Sequence, residues 1–284
     1  MSAELAPAQS ALWAVIGDAS ARLEAAGVPS ARHDAEQLAA AALGVPRSRL
    51  HSAPFFDAEQ FAAFAAFVAR RELREPLQHV LGTAPFRHLD LFVGPGVFIP
   101  RPETEALVDV VLAATPHGGL AVDLCAGSGA IGLAINQERP DVTVHLVERD
   151  PAAFEWLRRN ARGEHVGLHL ADAADALAHL DGAVDVVASN PPYLPDGLTL
   201  EPEVADFDPA PALWGGRDGL DMVRVVADTA ARLLRPGGFL AIEHDDTHGE
   251  SAPALLTSSG LWTDIADHRD LAGRSRYVSA RRVT

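Results

Sequence analysis

Apolar residues recur at helical spacing through the first eighty or so positions. Leu12, Val15, Ile16 and Leu23 share a face in the first segment, and Gly27 with Pro29 ends it. A second helix is predicted from about Ala31 to Leu43, stopped by Gly44-Val45-Pro46. A third runs from Asp57 to Arg74, with Phe61, Phe64, Phe67 and Val68 on one stripe. Such a stripe defines a buried face rather than a cofactor site, so this region reads as a small helical domain.

Between Pro76 and Pro100 the period changes. Leu89, Leu91 and Val93 alternate with Asp90 and Phe92, punctuated by Gly82, Gly94 and Gly96, as in a β-hairpin linker. Beyond Pro102, short apolar strands alternate with helical segments such as Ala130–Gln137 and Ala152–Ala161. The predicted strands are Leu120–Leu124, Thr143–Glu148, Val166–Leu170, Val184–Ser189 and Gly238–Glu243. The stretch from Trp262 to Arg282 adds two more as an antiparallel edge. This alternation predicts an α/β fold: a doubly wound, mostly parallel sheet of seven strands. The expected division is 1–75 helical, 76–100 hairpin linker and 101–284 sheet domain.

Composition narrows the setting. No apolar run reaches the ~18–20 residues of a spanning helix, so no membrane partner is expected. The opening M-S-A-E-L-A-P-A has no basic segment before an apolar core, which predicts a cytoplasmic protein without a secretory signal. One cysteine, Cys125, excludes an internal disulfide and a cysteine zinc cluster. The formal charge is −16, and all 23 fixed side-chain cations are arginine. An acidic chain without lysine is a poor match to a phosphate backbone, so direct nucleic-acid binding is not expected.

Chemistry concentrates in two loops. Ala121-Val-Asp-Leu-Cys-Ala-Gly-Ser-Gly-Ala-Ile-Gly132 reads as strand, glycine loop and helix start. Gly127, Gly129 and Gly132 let the backbone approach a ligand, and Glu148 closes the next strand where an acid can take both ribose hydroxyls. A nucleoside-containing ligand follows. The glycines alone do not separate a dinucleotide from S-adenosylmethionine. Asp123, placed to meet a methionine amino group, favours the latter.

The second loop is Asn190-Pro-Pro-Tyr193, leaving the fourth strand at its carboxyl end. Two prolines fix the backbone so that the Asn190 amide oxygen and the Pro191 carbonyl can point the same way. Together they would accept both hydrogens of a planar NH2 group, with Tyr193 against the group that carries it. Such a grip aims the nitrogen lone pair at a methyl on sulfur, which is catalysis by positioning. A rigid turn alone would explain the prolines but not the neighbouring glycine loop. An NAD-dependent oxidoreductase would leave this loop without a task, and a non-catalytic nucleotide-binding module is the remaining class.

With these loops, the chain resembles the class I, Rossmann-like S-adenosylmethionine-dependent methyltransferases, and more closely the PrmC/HemK family of release factor glutamine methyltransferases. The resemblance runs from about Glu75 to the C-terminus. It includes Glu75-Pro-Leu-Gln-His-Val-Leu-Gly82, Phe98-Ile-Pro-Arg-Pro-Glu-Thr-Glu105, Gly215-Gly-Arg-Asp-Gly219, Leu234-Arg-Pro-Gly-Gly-Phe-Leu240 and Glu243-His244. The Ile99–Glu105 block is the most family-specific; N-P-P-Y is shared with adenine methyltransferases.

The resemblance implies S-adenosyl-L-methionine as cofactor, held by Asp123, Cys125, Ala126, Gly127, Ser128, Gly129, Glu148, Asp172, Ala173 and Asn190. It implies Asn190, Pro191 and Tyr193 as catalytic, with Pro192 completing the substrate loop. The implied acceptor is the glutamine of the Gly-Gly-Gln motif in class I peptide chain release factors, docked by the helical N-terminal domain. A ribosomal-protein glutamine, or the exocyclic amine of adenine, is the alternative acceptor. Besides Gln78-His79, which stands near a position where relatives often carry tyrosine, two positions in the cofactor region depart from the family pattern. Cys125 replaces the usual first glycine of the loop, with less backbone freedom. Ala173 stands where relatives often carry an aromatic over the adenine.

Three features have plainer readings. His244 and His248 sit four apart but straddle a strand end without a third ligand, so no metal is expected and a solvated loop is. Cys125 reads as a small filler rather than a reactive thiol. Glu103 and Glu105 could simply favour a helix start, or the Ile99–Glu105 block could support the substrate pocket.

Overall fold

The computed structural model describes residues 5–270 and 272–284. The chain separates into two compact units. One extends through Gly82 and includes Glu201–Phe207; the other comprises Thr83–Leu200 and Asp208–Thr284.

The first unit is helical: α1 (Leu5–Ala25), α2 (Ala31–Leu43), α3 (Ala58–Glu72) and α4 (Leu77–Leu81). Gly44 ends α2 in the left-handed conformation (φ +66°), its N–H reaching back to the last-turn carbonyls. Asp57 caps α3 reciprocally with Gln60. Leu12, Ile16, Leu23, Leu38, Phe64 and Val68 fill one core. The expected stripe on α3 is narrower than its spacing suggests: Phe61 is 45% exposed, because it meets the edge of the Phe56 ring but not the core that Phe64 and Val68 join. Arg71 is buried and donates to Asp34 (2.8 Å) and Glu203 (2.9 Å), and Arg74 also holds Glu203. These pairs tie Glu201–Phe207 to the helices.

The second unit opens with an antiparallel hairpin, β1 (Thr83–Phe86) and β2 (Leu89–Phe92). Then come α5 (Glu105–Ala114), β3 (Leu120–Leu124), α6 (Ala130–Glu138), β4 (Thr143–Glu148), α7 (Pro151–Asn160), β5 (Val166–Leu170) and β6 (Val184–Ser189). After α8 (Pro202–Ala205), which belongs to the helical unit, follow α9 (Asp221–Leu233), β7 (Leu234–Glu243), α10 (Ser251–Ser259), β8 (Trp262–Arg269) and β9 (Ser275–Arg282). The seven strands lie in the order β5-β4-β3-β6-β7-β9-β8. The first five run parallel, and β9 and β8 complete an antiparallel edge.

Alternate side chains point to opposite faces of the sheet. Val122, Leu124, Val187, Leu240 and Ile242 pack with Val223, Val226, Ala230 and Leu233 of α9. Ala121, Val144, Leu146, Val186 and Ala241 pack with α5 and α6 through Leu107, Val111, Ile131 and Ile135. Covered on both faces, the central strands are apolar throughout, as parallel strands must be. β7 starts four residues earlier than the apolar run suggests, because Leu234 pairs with Val184 across a register shift before Phe239 meets Val186. Strand order reverses between β3 and β6. The crevice outside their carboxyl ends is where such folds bind ligands.

Candidate functional site

The glycine loop leaves β3 and turns into α6 with three residues in the left-handed region: Cys125 (φ +63°), Gly127 (φ +54°) and Gly129 (φ +91°). The glycines perform different tasks. A Cβ on Gly127 would meet nothing within 4 Å, so that backbone is open to a ligand. A Cβ on Gly129 would stand 2.7 Å from Leu157, and one on Gly132 only 2.5 Å from Leu146, so these two let loop and helix lie close on the sheet. Cys125 adopts glycine's conformation without being glycine, which concentrates backbone strain here. Burial pushes its thiol up to about 12, with the Glu148 charge adding to the effect.

Asp123 is fully buried. Its Oδ2 accepts from the Gly132 N–H at 2.8 Å, making it a strut under the loop, while its Oδ1 has no hydrogen-bond partner among the described residues. Burial raises this carboxyl to about 7 against the opposing Gly132 hydrogen bond. Glu148 closes β4, accepting from Gly127 N–H (2.8 Å) and Asp150 N–H (2.7 Å), one on each oxygen. Ala126 and Ser128 are buried; the Ser128 carbonyl accepts from Asn160 Nδ2 at 2.9 Å.

Beyond Glu148, the ends of β4 and β5 open into a cleft of about 490 Å³ lined by Arg149, Asp150, Pro151, Leu170, Ala171, Asp172 and Pro211. Asp172 lines this cleft. Ala173 does not: it is 4% exposed, because the turn after β5 directs it, with Ala176 and Leu177, into the core shared with β3 and α9. Leu170, 52% exposed, is the apolar surface this cleft offers instead.

The Asn190–Tyr193 loop leaves β6 beside the glycine loop, and Ser189 Oγ donates to the Leu124 carbonyl at 2.6 Å, joining the two strand ends. Pro191 and Pro192 are buried. Asn190 Nδ2 donates to Thr104 Oγ1 at 3.2 Å, and Thr104 Oγ1 donates to Glu243 Oε2 at 2.6 Å. The Tyr193 hydroxyl donates to the other Glu243 oxygen at 3.0 Å. Burial raises the Glu243 carboxyl above its usual range, and burial together with Glu243 holds the Tyr193 phenol well above its own.

The Gly215–Gly219 turn is seated on this loop. Leu194 and Leu213 share a 2.9 Å backbone bond, as do Gly215 and Leu194. A Cβ on Gly215 would be 2.8 Å from the Pro192 carbonyl oxygen, and one on Gly219 (φ +74°) 2.4 Å from that of Tyr193. On the other flank, Arg101 donates to Asp208 at 2.6 Å and lies over the Phe98 ring. His244 and His248 are 0% and 5% exposed, so the solvated loop expected from sequence is wrong. Asp267 on β8 supplies the reason, lying 3.1 Å from His244 Nε2 inside the fold. Among the described residues no group of three or more His, Cys, Asp or Glu side chains is placed to hold a metal ion.

Residues 14–82 match the PrmC N-terminal domain, and residues 92–206 match the methyltransferase small domain. A Streptomyces coelicolor protein named release factor glutamine methyltransferase is 50% identical over 278 residues, covering 96% of this chain and 98% of its own. A Mycolicibacterium smegmatis protein of the same name is 51% identical over 275 residues, with the same coverage. The chain belongs to the release factor glutamine methyltransferase family. It is also 39% identical over 258 residues to the 4-amino-L-phenylalanine/4-methylamino-L-phenylalanine methyltransferase of Streptomyces pristinaespiralis, covering 87% of this chain and 88% of that one. A crystal structure of a Pyrococcus furiosus methyltransferase shares the fold, with a TM-score of 0.53 at 19% identity over 70% of this chain and 91% of its own.

For a release factor glutamine methyltransferase family chain, the sequence reading assembled both loops but missed what stands behind them. Thr104 and Glu243 were not anticipated as catalytic or binding residues, although Thr104 lies in the Ile99–Glu105 block offered as support for the substrate pocket. Thr104 and Glu243 each fall in a block that carries the family resemblance, but 139 positions separate them, and no local period connects the two.

Proposed function

We propose that this chain transfers the methyl group of S-adenosyl-L-methionine to the side-chain amide nitrogen of the glutamine in the Gly-Gly-Gln motif of class I peptide chain release factors. The observation that carries the reading is the juxtaposition at the sheet's switch point. The glycine loop and the Asn190–Tyr193 loop leave adjacent strands, and Ser189 ties their roots together.

The residues present fit the cofactor. Gly127 offers backbone approachable by a ligand, and Glu148 stands at the strand end with lone pairs beyond the two already used. The cleft next to it has room and an apolar wall, in Leu170 and Pro211, for a flat base beside Asp172. Cys125 to Gly129 would take the amino-acid part, with Asp123 holding the loop's shape from beneath. When bound, S-adenosylmethionine supplies a methyl on a sulfonium, which leaves as a neutral thioether and so needs no strong acid.

The chain's own task is orientation. An amide nitrogen is a weak nucleophile because its lone pair is shared with the carbonyl. The Asn190 side-chain oxygen and the Pro191 carbonyl would accept its two hydrogens, favouring positive charge as it develops on nitrogen. Tyr193, its hydroxyl fixed on Glu243, presents its ring to the glutamine. The proton is lost to water, because asparagine and a phenol raised above its usual range are poor bases at neutral pH. The helical unit is assigned to docking the release factor, and the cytoplasm, where release factors act, is the proposed location.

The test mixes the protein with methyl-labelled S-adenosylmethionine and one of three acceptors: a class I release factor, the same factor with its Gly-Gly-Gln glutamine changed to alanine, and free 4-aminophenylalanine. Label on the first alone is expected. Label on the third alone, or equal label on the first two, would refute the assigned acceptor.

A further inference from the structure

An asparagine amide can turn either end outward with little change of shape, yet only one end is useful here. An acceptor NH2 has two hydrogens to give, so it needs an oxygen from Asn190; a flipped Asn190 would oppose it with a second NH2. We infer that Thr104 and Glu243 are positioning residues that hold Asn190 with its oxygen towards the acceptor nitrogen. The inference deepens the proposed function and rests on it for the identity of the acceptor.

The direction of each hydrogen bond follows from counting hydrogens. Thr104 Oγ1 carries one. It stands 2.6 Å from Glu243 Oε2, a length typical of a hydroxyl donating to a carboxylate. The Tyr193 hydroxyl donates to the remaining Glu243 oxygen, so this carboxylate accepts on both sides. With its hydrogen committed, Thr104 Oγ1 can only accept from Asn190, and Nδ2 is the one donor that side chain has. The oxygen is thereby left free. Thr104 is 3% exposed and Glu243 1%, so water does not compete for these bonds.

Burial raises the Glu243 carboxyl and the Glu103 charge adds to that, whereas the hydrogen bonds from Thr104 and Tyr193 and the charge of Arg276 on β9 favour the ionised form. A proton on Glu243 Oε2 would be donated to Thr104, whose own hydrogen would then seek the Asn190 oxygen and turn the NH2 outward. The relay accounts for threonine within Arg101-Pro-Glu-Thr-Glu105 and for glutamate at the end of β7 by one requirement: a fixed acceptor in the active-site loop.

The experiment uses the full-length chain and two readouts. In the proton–nitrogen spectrum, the Asn190 side-chain NH2, assigned by its disappearance in Asn190→Asp, is expected to show two unlike hydrogens, one protected from exchange. Thr104→Ser should keep that signature, and Thr104→Val should lose it while thermal unfolding shows both variants folded. On the acceptor, Thr104→Val should lower kcat by about 10–100-fold with KM for S-adenosylmethionine little changed, and Thr104→Ser should restore most of it. Glu243→Gln, which puts a donor where two donors already point, should resemble Thr104→Val in both readouts. An Asn190 NH2 that is unprotected in the wild type, or unchanged in Thr104→Val, would overturn the inference. An intact signature in a protein that methylates no glutamine would uphold the relay and refute the proposed function instead.

Discussion

Replacing Gly219 with alanine should damage the protein more than the same change at Gly216, although both glycines are in the left-handed region (φ +74° and +84°). The shared cost of placing an L side chain there is about 1–2 kcal/mol, reduced by about 0.4–1 kcal/mol because alanine restricts the unfolded chain. The obstacles differ. A Cβ on Gly216 would meet the Asp221 carboxylate at 2.0 Å, the end of a side chain that is 67% exposed and held by a surface pair with Arg224, so it can swing aside at little cost. A Cβ on Gly219 would meet the Tyr193 carbonyl oxygen at 2.4 Å and the buried His248 ring at 2.7 Å. Backbone cannot step aside without moving the loop it belongs to, and overpacking of this kind costs about 1–3 kcal/mol more. The expected losses are about 1 kcal/mol for Gly216→Ala and about 2–4 kcal/mol for Gly219→Ala. Urea unfolding at fixed pH measures both, and kcat for methyl transfer reports on the loop. A shift of the Tyr193 backbone by a fraction of an ångström should lower kcat at least tenfold in Gly219→Ala and leave Gly216→Ala nearly active. Equal stability losses, with kcat retained in both, would refute the argument that this turn is a template for the catalytic loop.

In the helical unit, Arg74 and Arg71 outweigh burial and hold the Glu203 carboxyl at about 2, below its ordinary 4.5. That difference stabilises the unit by about 2–3 kcal/mol near neutral pH and is lost as pH falls from about 4.5 through 2. Glu203→Gln should therefore destabilise at pH 7 and match wild type far better at pH 3, as read by urea unfolding; a gap independent of pH would contradict this. Asp123 has the opposite sign: raised from 3.8 to about 7, it favours the folded state in acid and withdraws that support as pH rises through 7. Compared with Asp123→Asn, the wild type should lose up to about 4 kcal/mol of relative stability between pH 4 and pH 8, and parallel pH curves would contradict the buried assignment. Cys125→Gly should relieve about 1–2 kcal/mol of left-handed strain, offset by about 0.5–1 kcal/mol of added chain entropy, so thermal melting should show an unchanged or raised Tm. A fall of several degrees would show that the thiol's packing matters more than its backbone.

Sequence patterning located the central strands closely because β3, β4, β5 and β6 are short apolar runs bounded by turn residues. Buried parallel strands admit little else. The two loops were legible for a related reason: glycine and proline restrict the backbone locally, so their positions can be read without knowing the fold. What escaped is what depends on distant partners. Phe61 fell on an apolar stripe but is covered on one side only, by the edge of the Phe56 ring. His244-Asp-Asp-Thr-His248 reads as a wet loop until β8 brings Asp267 against it. Ala173 was placed by resemblance where relatives often carry an aromatic, whereas its own small side chain is taken up by the core. Thr104 and Glu243 meet only because α5 and β7 are neighbours in space, which no spacing along the chain records.

The strained Cys125 has a practical consequence. It is the sole sulfhydryl in a chain without lysine, so neither a second thiol nor a side-chain amine competes with it for an electrophile. With burial pushing it up to about 12, its reactive anion at pH 8 is scarcer by about three orders of magnitude than in a free thiol. Alkylation of this half-buried thiol should therefore be slow, and fastest at moments when the loop opens. The labelling rate becomes a clock for those openings, recorded at the root of the cofactor loop without engineering a probe. Occupying the loop with S-adenosylmethionine should slow that clock, and the slowing would report binding in a protein whose catalytic residues are untouched.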